Sequence, residues 1–194
     1  MNYPALSLIE VKNALEDIAR DAEALFGGLN ARQLNWRPDA NRWSVAQCFD
    51  HLLTANRLIL ERADEALANA GPRTIWQRLP VLPAVFGWLL VRSQAPGGTR
   101  RFTAPPAAQP SASDIAADVV SRFVRQQRES AARVQAIGVR AAADVIMTSP
   151  FVTFITYSVL DGLRLMVAHD HRHVEQARRV TQSAGFPGPD EELS

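Results

Sequence analysis

The sequence predicts an all-α protein, a four-helix bundle with a long crossover connection between its second and third helices. Four long segments carry apolar side chains at three- and four-residue spacing, which is typical of amphipathic helices. No two segments alternate as a pair of strands would. Single domains usually run to about 100–200 residues, so we expect residues 1–194 to form one domain.

The first predicted helix runs from Ala5 to Phe26 and ends at Gly27 and Gly28, because glycine readily takes the left-handed conformation found at many helix C-termini. Its apolar face consists of Leu8, Val11, Leu15, Ile18, Ala22 and Leu25.

The second predicted helix begins after Ser44 and ends at Gly71-Pro72. Ser44 is expected to be its N-cap and Gln47, three residues later, to complete a capping box. Trp43 and Cys48 stand at the positions where a hydrophobic staple joins the residue before the cap to the first turn.

The connection over 71–110 contains seven prolines and one candidate short helix near 81–92. We interpret it as a crossover loop resting on the core; a lid over a pocket and a subunit contact are the alternatives.

The third helix is expected to be capped by Ser111 or Ser113 and to end before Gly138, and the fourth to run from its cap at Ser158 to about Ser183. Between them lies the segment TSPFVTFITY, which is rich in β-branched and aromatic residues. Because we find no partner strand, we interpret it as a buried linker.

Composition excludes several function classes. Twenty-one Lys and Arg against twenty Asp and Glu leave a net charge of +1, which argues against a dedicated nucleic-acid binder. The apolar run over 79–91 is shorter than the roughly 20 residues of a membrane span. Cys48 is the sole cysteine, so no intrachain disulfide can form. With no export signal visible, we expect a cytoplasmic protein without membrane or nucleic-acid partners.

The four histidines are the most informative feature of the sequence. At about 100° per residue, His169 and His173 lie about 40° apart on one helix face, whereas His171 points elsewhere. His51 falls within the apolar face of its own helix. If the second and fourth helices are neighbours, these three imidazoles converge on one ion and leave a fourth position to water. The alternative is that each buried imidazole is satisfied by a hydrogen bond.

Other residues near the histidines have two interpretations each. Cys48, one turn before His51, could be a fourth ligand or a reactive thiol, but the staple explains it without chemistry. Asp50 and Asp170 adjoin candidate ligands in sequence, so on a helix they should point away from them, as solvated caps or surface charges. No general base is therefore evident.

The stretch LNWRPDANRWSVAQCFDHLLTANR and the later VAHDHRHVEQARRV resemble the DinB-like superfamily, which includes the YfiT-type metal-dependent hydrolases. Family members are four-helix bundles in which a W-S-x6-H segment and an H-x-x-x-H-x-x-Q segment supply a three-histidine metal site. The matching residues here are Trp43-Ser44 leading to His51, then His169, His173 and Gln176. The resemblance implies the same fold and the same metal ligands.

Two glutamines, Gln176 and Gln47, face the proposed site and could orient a ligand or a bound water, although Gln47 also has its capping role. Trp36 and Trp43 could line the mouth of a pocket or pack in the core.

The superfamily also contains thiol transferases and a mycothiol-dependent maleylpyruvate isomerase. The resemblance therefore implies a metal-dependent hydrolase or thiol (S-)transferase that acts on a small-molecule substrate or a low-molecular-weight thiol. Its cofactor would be one divalent ion, zinc or nickel first, with iron or manganese as alternatives. The hypothesis from another class is a non-catalytic metal- or ligand-binding bundle, such as a stress-response protein acting as a homodimer.

Overall fold

The protein is mostly helical, in agreement with the predicted all-α class. The computed structural model describes residues 1–69, 82–94, 108–111 and 114–188. In these ranges a short 3-10 turn (Tyr3–Ala5) precedes seven helices and one two-stranded hairpin. The elements are α1 (Leu8–Phe26), α2 (Ala31–Asn35), α3 (Val45–Ala68), α4 (Leu82–Gln94), α5 (Val119–Ala136), α6 (Val139–Asp144), β1 (Ile146–Thr148), β2 (Thr156–Ser158) and α7 (Val159–Thr181).

The four long helices share one apolar core. Helices α1 and α3 each pack against both α5 and α7. Three phenylalanines continue through the middle of this core: the Phe49 ring lies 5.2 Å from that of Phe26 and 5.0 Å from that of Phe123, between ring centroids. These contacts join α1, α3 and α5 two residues before His51 on α3. Most of the predicted 71–110 connection lies outside the described residues.

Two predicted helix starts are observed with their capping bonds. The Ser44 hydroxyl accepts from the backbone N–H of Gln47, and the Gln47 side chain accepts from the N–H of Ser44, both at 3.1 Å. The Ser158 hydroxyl accepts from the N–H of Asp161 at 3.0 Å. These caps fix the first turns of α3 and α7, the two helices that carry the histidines.

Two other starts were predicted wrongly. Helix α1 begins at Leu8 rather than Ala5, because Ser7 caps it and the residues before it form the 3-10 turn. Helix α5 begins at Val119 after Asp118, not after Ser111. Ser111 lies eight residues before this start and is held elsewhere: its N–H and hydroxyl both donate to the Asp50 carboxylate, at 2.9 and 3.0 Å. The other candidate cap, Ser113, lies outside the described residues.

The segment TSPFVTFITY is not a linker, because both of its ends belong to an antiparallel hairpin. β1 pairs with β2 in the register Met147 opposite Tyr157, and both of these side chains are buried. The strand that pairs with β2 is β1, which lies immediately before the loop of this hairpin. It is only three residues long, too short to show an alternating pattern in the sequence.

Helix α4 covers the start of α7. It packs against α7, the hairpin and the N-terminal 3-10 turn. At Gly87 an added Cβ would lie 2.6 Å from the Asp161 carboxylate, so the close approach of α4 requires glycine there. Its opposite face exposes Val85, Trp88 and Leu89. Among the helices of the described ranges, none is both long and apolar enough to cross a bilayer.

Candidate metal centre

The structure brings together three of the four histidines. His51 comes from α3, and His169 and His173 come from successive turns of α7. One ring nitrogen from each can be chosen so that all three lie within 4.8 Å of one another. The ring centroids form a nearly equilateral triangle with sides of 4.9, 4.7 and 4.6 Å. His171 lies outside this cluster, as predicted, with its ring 5.6 Å from that of Tyr3.

The nitrogens of His51 show which atom faces the cluster. The Nδ1–H of His51 donates to the backbone carbonyl of Ala108. Its Nε2 therefore carries the lone pair and lies 3.1 Å from Nε2 of His169. Two nitrogens on one tetrahedral zinc at their usual bond lengths are about 3.3–3.4 Å apart. The spacing of this pair is thus close to that of two ligands of one ion.

Burial keeps the cluster neutral at physiological pH. His51 is 3% exposed and His173 is 9% exposed, while His169 is partly exposed. Desolvation is the main cause that lowers the pKa of all three imidazoles. The neighbouring imidazoles and Arg172 act in the same direction on His169 and His173, and together these causes lower the pKa of His173 to about 3. Three neutral imidazoles are the form that binds a metal without first releasing protons.

Trp43 forms an aromatic wall beside the cluster. Its ring stacks on His173 with centroids 5.6 Å apart and an interplanar angle of 21°, and it lies 5.0 Å from the ring of His51. Trp36 instead packs edge-on against Phe186 at 5.6 Å. Of the two predicted pocket tryptophans, only Trp43 makes ring contacts with the histidines.

The sequence that carries these histidines also matches a known protein family. A family model described as the DinB superfamily matches residues 14–177, which include all three clustered histidines. This chain belongs to the DinB superfamily. No curated protein and no solved structure gives a significant match.

The two glutamines expected near the clustered histidines differ in what their side-chain amides contact. Gln176 interacts with His173 and raises its pKa, against the larger effect of burial. Gln47 has both ends of its amide occupied, since its oxygen completes the capping box and its nitrogen donates to the Ser111 carbonyl at 3.1 Å. Gln176 therefore contacts a clustered histidine, whereas the Gln47 amide is held by Ser44 and Ser111.

Cys48 lies in the apolar core rather than in a pocket. It is 0% exposed, and burial raises the pKa of its thiol. Within the described residues the ligand cluster contains histidines alone. A role for Cys48 as fourth ligand is therefore not supported, because its sulfur is not part of the cluster, and a neutral, inaccessible thiol is a poor nucleophile.

Asp170 is the largest departure from the sequence expectation. It is not a surface charge: it is fully buried and accepts hydrogen bonds from Asn56 at 2.9 Å and from Gln127 at 3.0 Å. Desolvation raises the pKa of its carboxyl to about 8, despite these two donors. One signal was available, because Leu163 and Ala177 lie seven residues either side of it on the apolar face of α7.

Proposed function

We propose that this DinB-superfamily protein is a metal-dependent enzyme that holds one divalent ion with His51, His169 and His173. The convergence of three neutral imidazoles on one point carries the proposal. Zinc and nickel are the first candidates, since both suit imidazole ligands, with iron or manganese as alternatives. Three protein ligands would leave a further coordination position for a substrate or water, which is the pattern of catalytic rather than structural sites.

The donor set fits such an ion. The Ala108 carbonyl fixes the tautomer of His51 and so keeps its Nε2 available, a common arrangement for a ligating histidine. His169 is the partly exposed member of the three, so a small molecule would reach the cluster from its side. When bound, a divalent ion supplies Lewis-acid chemistry that lowers the pKa of a coordinated water or thiol. Trp43 excludes water from the face of His173 on which it stacks.

Of the two reaction types that the family resemblance implies, thiol (S-)transfer fits the surrounding residues better than hydrolysis. Hydrolysis usually needs a side chain that accepts a proton from the attacking water. The two carboxylates adjacent to ligand candidates in sequence are both engaged elsewhere: Asp50 binds Ser111, and Asp170 is buried against Asn56 and Gln127. Thiol transfer does not require that base, because the acidified thiol is itself the nucleophile.

The same observation supports a second candidate function, a non-catalytic metal- or ligand-binding protein. Without a free acid or base among the described side chains beside the histidines, the cluster could bind an ion without turning over a substrate. The two functions share the metal site and differ in whether a small thiol gains access to it.

Metal content of tag-free protein tests the shared part of the proposal. After loading and removal of excess metal, we expect about one equivalent of zinc or nickel per chain, the count set by one three-ligand site. His51→Ala, His169→Ala and His173→Ala should each lose it. His171→Ala is the matched control, because this histidine lies on the same helix but outside the cluster, and it should retain the metal. Equal metal content in all four variants would contradict the site.

Cobalt substitution then separates the functions. Cobalt(II) in a site of this kind gives visible absorption, and coordination of a thiol adds a charge-transfer band. A thiol-dependent band together with transfer of that thiol to an electrophile supports the enzyme. A bound ion that ignores small thiols and supports no hydrolysis would favour the non-catalytic function.

A further inference from the structure

A buried polar cluster lies directly beside the histidines and takes no part in the proposed chemistry. It consists of Asn56 on α3, Gln127 on α5 and Asp170 on α7, and we refer to it as the amide–carboxyl tie. All three side chains are 0% exposed. The two carboxyl oxygens of Asp170 accept separately, one from the Asn56 amide and the other from the Gln127 amide.

The tie shares two helices with the histidine cluster. Asp170 immediately follows His169 on α7, and Asn56 follows His51 by five residues on α3. The contact between α3 and α7 is therefore polar at two adjacent points: His51 to His169 at 3.1 Å, and Asn56 to Asp170 at 2.9 Å. A slide of one helix along the other would break the second contact together with the first.

Stability alone does not account for these residues. The amide oxygens of Asn56 and Gln127 are buried and have no hydrogen-bond partner among the described residues. A partly satisfied polar cluster in a core usually costs stability relative to apolar side chains of similar volume. What such a cluster can provide is a defined geometry, because buried polar groups can specify one register of packed helices over others.

We infer that the amide–carboxyl tie is a positioning device for the histidine cluster: it fixes the register of α3 against α7, with α5 as the third anchor, so that His51 and His169 meet. The effect on metal binding rests on the proposed function. The effect on the register of α3 against α7 concerns the metal-free chain. Asn56, Gln127 and Asp170 are thus positioning residues, and none of them touches the ion.

The decisive variant replaces the whole tie by apolar side chains of similar size, Asn56→Leu, Gln127→Met and Asp170→Leu together. Removing all partners at once leaves no orphaned polar group, so the free energy of unfolding should be unchanged or higher. Zinc affinity, measured by competition with a chelating dye, should nevertheless fall about 10-fold or more, as when groups that orient metal ligands are lost. Asp170→Asn keeps the size of the side chain and one acceptor oxygen for the Asn56 amide, while its new NH2 group can donate to the unpaired Gln127 oxygen once that amide turns over. This variant should retain most of the affinity.

A second readout does not depend on metal. Long-range nitrogen–proton NMR spectra of the metal-free protein report the tautomer and environment of each imidazole. In the apolar variant we expect the signals of His51 and His169 to shift and to show more than one environment. Gln33→Leu is the control for general destabilisation, because it breaks a buried hydrogen bond to the Pro187 carbonyl in which no residue of α3 or α7 takes part. It should leave both readouts unchanged.

Each outcome bears on the inference. Wild-type affinity and wild-type imidazole spectra in the apolar variant would overturn it. If the wild type binds no metal, the proposed function fails, and the imidazole spectra alone decide on the tie. If the apolar variant does not fold, Asp170→Ala is compared with Asp170→Asn in the same spectra. Equal spectra in these two variants also overturn the inference.

Discussion

The buried carboxyl of Asp170 makes stability depend on pH in an unusual direction, and Asp170→Asn exposes that dependence. Burial raises the pKa of this carboxyl to about 8, from an ordinary value near 4 in the unfolded chain. The folded state therefore binds the proton more tightly than the unfolded state. The contribution of Asp170 to stability is fully present below about pH 4 and is lost as the pH rises to about 8.

The magnitude follows from the pKa shift, since one pKa unit corresponds to about 1.4 kcal/mol. Between about pH 5 and about pH 8 the wild type should lose on the order of 3–4 kcal/mol relative to Asp170→Asn, which does not titrate. The clustered histidines change stability in the opposite direction. Burial lowers their pKa values, so as the pH falls the unfolded chain binds protons before the folded chain does, and stability decreases. Their contribution is the same in both proteins, so it cancels in the difference.

Urea unfolding of both proteins in the presence of a chelator, followed by far-UV circular dichroism at a series of pH values, measures this difference. The chelator removes any stabilisation by bound metal. We expect the difference in free energy of unfolding between the two proteins to shift steadily in favour of the variant as the pH rises. Parallel curves would refute the reasoning, because they would mean that the two amide donors keep Asp170 ionised despite its burial.

Three further predictions concern the core, a cap and the site. Phe49→Ala should cost about 3–5 kcal/mol in urea unfolding, because it removes a ring that contacts two others, and a loss below that of Phe49→Leu would contradict the packing. Ser44→Ala should cost about 1 kcal/mol, whereas Ser121→Ala, at an exposed serine that caps no helix, should cost almost nothing. Burial lowers the pKa of the clustered histidines, so protons compete less with zinc for them. Between about pH 7 and about pH 6 the zinc affinity of the protein should therefore fall less than that of an exposed three-histidine peptide, measured by the same dye competition. An equal fall would show that the imidazoles are solvated.

The sequence was sufficient for the parts of this protein that local chemistry determines. The helix starts at Ser44 and Ser158 follow from capping patterns within four residues. The pairing of His169 with His173 follows from helical spacing, and the place of His51 in an apolar face brought it to the same interior point. These inferences need only the period of a helix and the assumption that α3 and α7 are neighbours.

The remaining features depend on contacts that are distant in the chain. The sequence predicts a surface charge at Asp170 because a residue next to a ligand on a helix points away from it, but its partners Asn56 and Gln127 are 114 and 43 residues away. The sequence predicts Ser111 or Ser113 as a helix cap, because nothing local shows that Asp50, 61 residues before Ser111, accepts its hydrogen bonds. Sequence spacing could not reveal which polar groups meet across helices.

The hydrogen bond from His51 to Ala108 has a consequence for how this site tolerates mutation. The acceptor is a backbone carbonyl, which every amino acid possesses, so the identity of residue 108 does not determine the tautomer of His51. The constraint falls on side-chain size instead, because the Ala108 methyl is itself completely enclosed. A bulky replacement at 108 would push the carbonyl away and let the imidazole turn over, while every histidine remained in place. Damage to such a site can therefore come from a residue with no chemistry of its own.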